Sequence, residues 1–478
     1  MWISLDMFGA QAYGRIVELA SGSRRCARWS LAAALMPWGL ASAQTVPPAP
    51  LSYNEAEARL GDVSDAVLAA SAGTASKRDL ADAARHLRIP DVTLDVKQLK
   101  FQKSLDIPLG PLSGLAESAG LPGTINYFDQ GWHLRPTASI VLPLYTGGKI
   151  PAAQRAAAAA VSQAEAEEEG TRQSETVQLV QVYFGQQLAA HVVDVRRQVR
   201  DGLQRHYLDA EALEHAGMAT KAQRLQAAVA RDQAEREYQQ SLNDRSTLGA
   251  TLSQLLRAGQ PVETTTPLFV LSTPMNDVAR FRQSAKDRHP QLLRLRALVE
   301  QAEQGVKLKE AELKPQVFLF GQRDLKRSDA LLTDPDWVFG IGFKYSFLSS
   351  SDRPKQISAA RNQLEQARSS LKELENEIDI AVTRAVNTLD SSRQQFLLLD
   401  SSIDQAEENL RLQELSFKEG QANSLDVIDA RLRLGSVAAE RARAAYQYDV
   451  ALAQLLEVAG QTDQFSTYIQ KADRVFTP

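Results

Sequence analysis

Cysteine is almost missing from the 478-residue sequence: Cys26 is the only one. It lies in Arg24-Arg25-Cys26-Ala27-Arg28, just before an apolar run from Trp29 to Leu40 that ends at Ala41-Ser42-Ala43. A basic start, an apolar centre and a small-x-small end have the form of a secretory signal, so residues 1–43 are expected to be removed before Gln44, with an over-extended start ahead of the signal itself. A single anchor helix fits less well, because the run holds Pro37 and Gly39 and falls short of the ~20 residues a bilayer requires. The chain that remains carries no thiol, which excludes disulfides, thiol catalysis, cysteine metal sites and a lipid-bearing N-terminal cysteine.

Long hydrophobic runs are also lacking. No later stretch reaches about 18 consecutive apolar residues, so no segment can cross a bilayer as a helix, and an exported chain of this kind is either free of the membrane or crosses it as strands. Charge of one sign is absent: 54 Lys+Arg stand against 58 Asp+Glu, a formal charge of −4, which leaves no polyanion-binding surface and excludes nucleic acid as a partner. With 44% hydrophobic and 23% charged residues the composition is that of a folded protein with a substantial core.

Proline is the most informative absence. None occurs between Pro151 and Pro261, or between Pro354 and Pro478, and both blocks are rich in Ala, Gln, Glu, Arg and Leu, all good helix formers. Each opens just after a proline, the residue favoured at the first helical position. The blocks are copies of one another: at one constant offset Pro151 falls on Pro354, Gly217-Met218-Ala219 on Gly420-Gln421-Ala422 and Ala227 on Ala430, while Gln254-Leu255-Leu256 pairs with Gln454-Leu455-Leu456 after a short indel. Residues 44–275 and 276–478 are therefore expected to be two structural repeats.

Each block breaks once, at Gly217 and at Gly420. A glycine there suits a helix ending in left-handed geometry, and Thr220 or Asn423 follows as a cap for the next helix. The spacing predicts a long helix, a tight turn and a helix of about 35 residues in each half, the arm from Pro354 to Leu415 reaching ~90 Å. Val382, Leu389, Phe396, Ile403, Leu410 and Phe417 recur every seventh residue, and Ala385, Ser392, Leu399, Ala406 and Gln413 accompany them. That narrow seam is a coiled coil, suited to helices packed edge to edge in a wall; upstream, Leu371 and Ile378 shift by a stutter.

Before each long helix the period changes to two. Trp337, Phe339, Ile341, Phe343, Tyr345 and Phe347 alternate with small or polar residues, a pattern for a strand with its bulky face in lipid. Leu134, Pro136, Ala138, Ile140, Leu142 and Leu144 keep the same parity in the first half. Companion strands are expected at Asp91 to Phe101 and at Gln316 to Arg323, after shorter helices near 53–88 and 277–313, the first opening with a capping box at Ser52-Tyr53-Asn54-Glu55. The first hairpin is the longer, with an outer loop near Gly110 to Asp129. Four strands cannot stand alone in hydrocarbon, because two edges would be left unpaired. The strand count itself therefore predicts an oligomer.

The duplicated helical hairpin, the segment Leu142-Pro143-Leu144-Tyr145-Thr146-Gly147-Gly148-Lys149, and above all Gly420-Gln421-Ala422-Asn423-Ser424-Leu425-Asp426-Val427-Ile428-Asp429-Ala430 resemble the TolC family of outer-membrane efflux and secretion channels. The resemblance covers nearly all of the chain after the leader. It implies a mainly α fold whose long coiled-coil helices form an α-barrel in a homotrimer, with four transmembrane strands per chain contributing to a shared barrel of twelve. It implies an exit duct for a tripartite efflux pump in the outer membrane of a Gram-negative bacterium, extending into the periplasm and joined through an adaptor protein to an inner-membrane transporter. By the same resemblance the turns at Gly217, Thr220, Gly420 and Asn423 are where the adaptor docks. Asp426, Asp429, Phe417 and Gln223 lie at the periplasmic entrance. Some members lock that entrance with Tyr, Arg and Asp, where this chain has Phe417, Ala422 and Gln223. The second strand pair ends Ser349-Ser350-Ser351-Asp352 where the family more often has Gly-Gly.

Catalytic patterns are missing. His86, His133, His191, His206, His215 and His289 show no helical pairing suited to zinc and are expected to be solvated or interfacial. Gly147-Gly148-Lys149 lacks the rest of a phosphate loop, no G-x-S-x-G elbow occurs, and the acidic run Glu165-Ala166-Glu167-Glu168-Glu169 reads as a solvated helix face. No enzyme activity, cofactor or metal is expected. The rival readings are the outer-membrane component of a type I protein secretion system and, from another class, a periplasmic coiled-coil scaffold without a pore.

Overall fold

The computed structural model describes residues 49–275, 277–326, 335–347 and 352–476. The leader read at 1–43 and the Ser349-Ser350-Ser351 segment lie outside the described residues. The first half runs β1 (Ala49–Leu51), α1 (Tyr53–Val63), α2 (Asp65–Arg85), β2 (Asp91–Pro108), α3 (Ser113–Ser118), β3 (Thr124–Tyr145), α4 (Lys149–His215), α5 (Lys221–Leu255), β4 (Val262–Thr264) and β5 (Leu268–Val270). The second runs α6 (Val278–Arg288), α7 (Pro290–Ala311), β6 (Gln316–Asp324), β7 (Trp337–Lys344), α8 (Arg353–Lys418), α9 (Ser424–Val458), α10 (Phe465–Gln470) and β8 (Arg474–Phe476).

The two long helices, α4 with 67 residues and α8 with 66, are each about 100 Å long. Neither begins at its proline. Asp352 caps α8 by accepting from the Lys355 amide at 3.0 Å, which puts Pro354 one residue inside the first turn, and α4 starts from Gly148 with Pro151 as its third residue. First-turn amides have no intrahelical acceptor, so proline costs nothing at any of these places. The two shorter helices expected near 53–88 and 277–313 are each broken in two. Ser64 accepts from the Val67 amide at 3.4 Å to start α2, and Pro290 forces a new start after His289, whose ring accepts from the Gln291 amide at 3.2 Å.

The four long strands form one antiparallel sheet in the order β2-β3-β6-β7. The register puts Leu94 opposite Ala138, Ala138 opposite Arg323 and Arg323 opposite Trp337, so one face carries Val92, Leu94, Val96, Ile140, Leu142, Leu319, Phe339, Ile341 and Phe343. Trp337, Phe339, Ile341 and Phe343 are each about two-thirds exposed, which is how a lipid-facing row looks in a single chain. The opposite face holds Thr93, Asp95, Arg135, Thr137 and Gln322, with Arg135 paired to Asp324 at 2.8 Å. On that face Phe318 and Phe320 lie over Gly342 and Gly340, where a Cβ would collide with the rings.

Two strand limits differ from the sequence reading. Pairing of β7 stops at Lys344 opposite Gln316, because Pro315 follows on the partner strand with no N–H to donate; Tyr345 and Phe347 lie beyond it, exposed, with their rings edge to face at 4.7 Å. In the first hairpin β2 continues past Phe101 to Pro108, paired throughout with β3 back to Thr124, so the outer loop is shorter than Gly110 to Asp129.

The principal core lies where the middle of α4 meets the ends of α5 and α9. Tyr53, Tyr183, Phe184, Phe269 and Phe465 stack there at centroid distances of 5.1–6.0 Å. Polar side chains of α4 anchor the short strands to it: the Tyr183 hydroxyl donates to the Leu51 carbonyl at 2.7 Å, and Gln186 and Gln187 donate to the carbonyls of Val262 and Thr264 at 2.9 and 2.6 Å. Of the heptad seam on α8, Val382, Leu389, Phe396, Leu410 and Phe417 are buried and Ile403 is half-buried. Far from this core the helix pairs are held by two small clusters, Val199 with Leu203, Ala234 and Ile428, and Ala210 with Ala227, Phe417 and Val427.

Candidate channel entrance

Both turns end their long helices in the same way. At the first, the Met218 amide donates to Leu213 at 2.8 Å and Gly217 to Glu214 at 2.9 Å, with Gly217 at φ +76°. At the second, Gln421 donates to Ser416 at 2.8 Å and Gly420 to Phe417 at 3.0 Å, with Gly420 at φ +72°. These paired bonds satisfy the carbonyls that a helix end leaves open, and only glycine takes the left-handed position without steric cost. Capping boxes then start α5 and α9. Thr220 Oγ1 accepts from the Gln223 amide at 3.3 Å while Gln223 Oε1 accepts from the Thr220 amide at 2.8 Å. Asn423 Oδ1 accepts from the Asp426 amide at 3.2 Å while Asp426 Oδ2 accepts from the Asn423 amide at 3.0 Å.

Above the turns, a buried polar group ties the repeats together. His206 of α4 is 4% exposed, stacks obliquely on Phe417 at 4.8 Å and places Nε2 2.8 Å from Ser424 Oγ. The same oxygen lies 3.4 Å from the Gln223 carbonyl. The hydroxyl has one proton; given to that carbonyl, it leaves Oγ to accept from the ring N–H. One serine thus joins α4, the start of α5 and the start of α9. Burial pushes the His206 imidazole below its ordinary value, with Asp209 opposing and Arg431 adding to the shift.

Arg431 of α9 pairs with Glu414 of α8 and lies directly on Gly202 of α4, where a Cβ would occupy the guanidinium's place. Its Nε has no partner among the described residues, and burial with Arg205 close by pushes the group down from its ordinary value. These side chains, with His206 and Asp209, line a cavity of about 190 Å³. On the α4–α5 side the pairing is cationic on aromatic: Arg200 over Tyr238 at 4.2 Å and Arg231 over Tyr207 at 4.5 Å.

The turn therefore brings Asp426, Asn423, Gly420 and Phe417 together at one end, and Gln223, Thr220 and Gly217 beside them. Asp426 and Asp429 are exposed, and Gln223 is half-buried. Phe417 is not on an exposed face: it is 5% exposed, packed between α4, α5 and α9. In the sequence His206 was only one of the dispersed histidines and Ser424 only part of the turn motif, and Arg431, Glu414 and Gly202 carried no signal. His206 is buried between helices, His191 is buried against the Phe476 ring of β8, and His133 is buried too. The acidic run of α4 is paired to arginines, Glu165 with Arg78 at 2.8 Å, Glu168 with Arg172 at 3.2 Å and Glu167 with Arg294 at 3.8 Å.

Residues 281–461 match the family described as outer membrane efflux protein. Solved structures extend the likeness over both halves. VceC from Vibrio cholerae is 17% identical, over 86% of this chain and 96% of its own, with a TM-score of 0.69. The CmeC outer membrane channel of Campylobacter jejuni is 13% identical over 88% of both chains, TM-score 0.69. The open state of the Neisseria gonorrhoeae MtrE outer membrane channel is 16% identical, over 86% and 89%, TM-score 0.67. At these identities the likeness shows a shared fold, long paired helices joined to a four-stranded sheet. No curated protein sequence matches the chain. The first half, outside the matched efflux protein residues, shares with the second the run of two helices, two sheet strands, a long helix and a helix of 35 residues, with α3 added between its strands.

Proposed function

We propose that this chain is one subunit of a trimeric outer-membrane channel, the exit duct of a tripartite efflux pump that exports small molecules passively. The sheet carries this reading. Its apolar outer face is exposed, and β2 and β7 each leave an edge unpaired among the described strands. An open edge in hydrocarbon costs several kcal/mol per unsatisfied group, so the edges must meet other copies, and three copies close twelve strands. Helices of about 100 Å continue from those strands toward the periplasm. Residues 1–43 act as the export signal, and the chain is organised as tandem repeats at 44–275 and 276–478.

The tips around Gly217, Thr220, Gly420 and Asn423 form the periplasmic end, the docking place for an adaptor that leads to an inner-membrane transporter. Asp429 is exposed at the start of α9, where threefold symmetry gathers three copies, and Asp426 adds three more carboxylates while serving its capping box. Transport rather than catalysis is the role that fits this arrangement. A type I secretion duct has the same fold and differs in partner.

Planar-bilayer recording tests the channel. The purified protein is expected to give stable steps of conductance, and a protein that inserts without conducting would leave the scaffold reading. Asp429→Asn should lower cation preference and block by trivalent cations, whereas Asp426→Asn should chiefly weaken the helix start by about 1 kcal/mol. Unchanged selectivity in the double variant would remove the carboxylate ring.

A further inference from the structure

The first hairpin is far longer than the second. The described pairing of β6 with β7 ends at Arg323 and Trp337, level with Leu94 of β2, while β2 and β3 stay paired as far as Pro108 and Thr124. The extra ladder is roughly 40 Å along the strand, so the hairpin projects well past the outer rim of the sheet.

Along this projection the polarity of the two faces exchanges. Within the sheet, Val92, Leu94 and Val96 point to the lipid side. Continuing on that same face of β2, the next residues are Gln98, Lys100, Gln102, Ser104 and Asp106. On the face that looks inward lower down, Thr93, Asp95 and Lys97 give way to Leu99, Phe101, Leu105 and Ile107, interrupted by Lys103, which lies over the Phe101 ring, and the β3 partners of Leu105 and Ile107 are Tyr127 and Ile125. On β3 that outer face still carries Trp132, two-thirds exposed beside Lys100, and Phe128, exposed beside Ser104, aromatic side chains of the kind that anchor at an interface. On the trimer reading, the hairpin beyond them is in water with this side turned toward the channel axis.

Lower on the hairpin that side is partly covered within the chain, with Lys103 and His133 buried, but toward the end it is not. Ile107, Ile125 and Tyr127 are about half exposed, and the hairpin's end adds Leu112, Leu115 and Leu121, all above 60% exposed. An isolated two-stranded ribbon is marginal in water and needs a partner for its apolar face. On the trimer reading, the barrel holds two further copies of the same face on the same side of one axis, and it holds nothing else there.

We propose that the ends of the three hairpins pack on one another through Ile107, Ile125, Tyr127 and the leucines at 112, 115 and 121, forming an apolar constriction over the outer mouth of the channel. This rests on the trimer reading. Its occupant is a second and a third copy of this chain.

Leu112→Cys and Leu115→Cys variants of the full trimer, whose chains carry no other cysteine after the leader, are oxidised mildly and run on denaturing gels. Disulfide-linked dimers are expected from both, and none from Asp106→Cys on the watery face. Separately, Leu115→Asp with Leu121→Asp should raise single-channel conductance by about twofold, since apolar constrictions gate by dewetting. A protein that is a trimer by mass but gives no dimers and no conductance change overturns the proposal and leaves the channel intact. So does an environment-sensitive dye at position 112 that shifts only when lipid is added, which would put the tip in the membrane. A monomer by mass would instead overturn the trimer reading itself.

Discussion

At the scale of single residues, two buried titratable groups set opposite pH dependences. His206 is kept neutral by burial, facing Ser424, Asp209 and Arg431, with Arg205, Glu414 and Lys418 around the same cavity. Its unfolded form takes a proton below 6.5 that the folded form resists, so the unfolded state binds more protons and stability falls as pH falls through that value. Acidification from pH 7.5 to 5.5 should loosen the helix ends around the two turns by up to about 1 kcal/mol, seen as faster amide exchange at 206–213 and 417–430. His206→Gln should abolish the pH dependence of that exchange.

Asp449 on α9 is fully buried, its Oδ2 3.5 Å from the Phe269 amide and its Oδ1 without a partner among the described residues. Burial raises its carboxyl well above the ordinary 3.8. The folded protein therefore holds a proton that the unfolded chain releases, and this contribution is complete below 3.8 and is lost as pH rises toward the folded value. Asp449→Asn should leave stability at pH 4 nearly unchanged and increase it at pH 8 by about 1 kcal/mol or more, measured by denaturant melts at both pH values.

At the scale of elements, the turns and the strand faces make separate predictions. Gly420→Ala puts a Cβ at φ +72° and should cost about 1 kcal/mol, whereas Gln421→Ala next to it should cost little, a difference readable from local exchange at the turn. Ile341→Arg on the lipid side should cost ~2–4 kcal/mol and reduce insertion, while Gln322→Arg on the opposite face should insert normally and change conductance. Equal damage at both would mean that the two faces are not divided between lipid and lumen, and damage at Gln322 alone would mean that they are exchanged. Gly342 is unsuited to this comparison, because Phe318 covers it and any side chain there collides with the ring.

These elements also mark what could be read in advance. Missing prolines exposed the long helices, and period-two alternation exposed β7, because both signals are local and repeated many times. The limits of β2 and β7 were less legible, since pairing ends where the partner strand ends. Pro315 stops β7 from a distance in sequence, and the alternation along β2 reverses polarity, which hides its outer half. The entrance residues split the same way. Gly217, Gly420, Thr220 and Asn423 announce themselves by turn chemistry, but His206 and Ser424 are joined by folding alone, and neither carries a local sign of the other. Phe417 was visible as a heptad position, and in the fold it is a buried seam residue packed on His206.

For the whole molecule, the number of strands in one chain and the number of chains are linked. Mass measurement in mild detergent should return three chains per particle, and a stable monomer with its sheet folded would contradict the closure that open edges demand.

The short strand β8 pairs with β5, so Phe476, Val475 and Arg474 of the second half complete a sheet begun by Leu268, Phe269 and Val270 in the first. Phe465 likewise fills the aromatic core around Tyr53 and Phe184. The core of the first half therefore cannot close until almost the entire chain has been delivered. Contacts this distant in sequence slow folding, and the apolar row of Trp337 to Phe343 is exposed to water meanwhile. Maturation of such a chain is a race between completing the last strand and aggregating through an unfinished one, and a helper that shields strands during transit would act before β8 arrives.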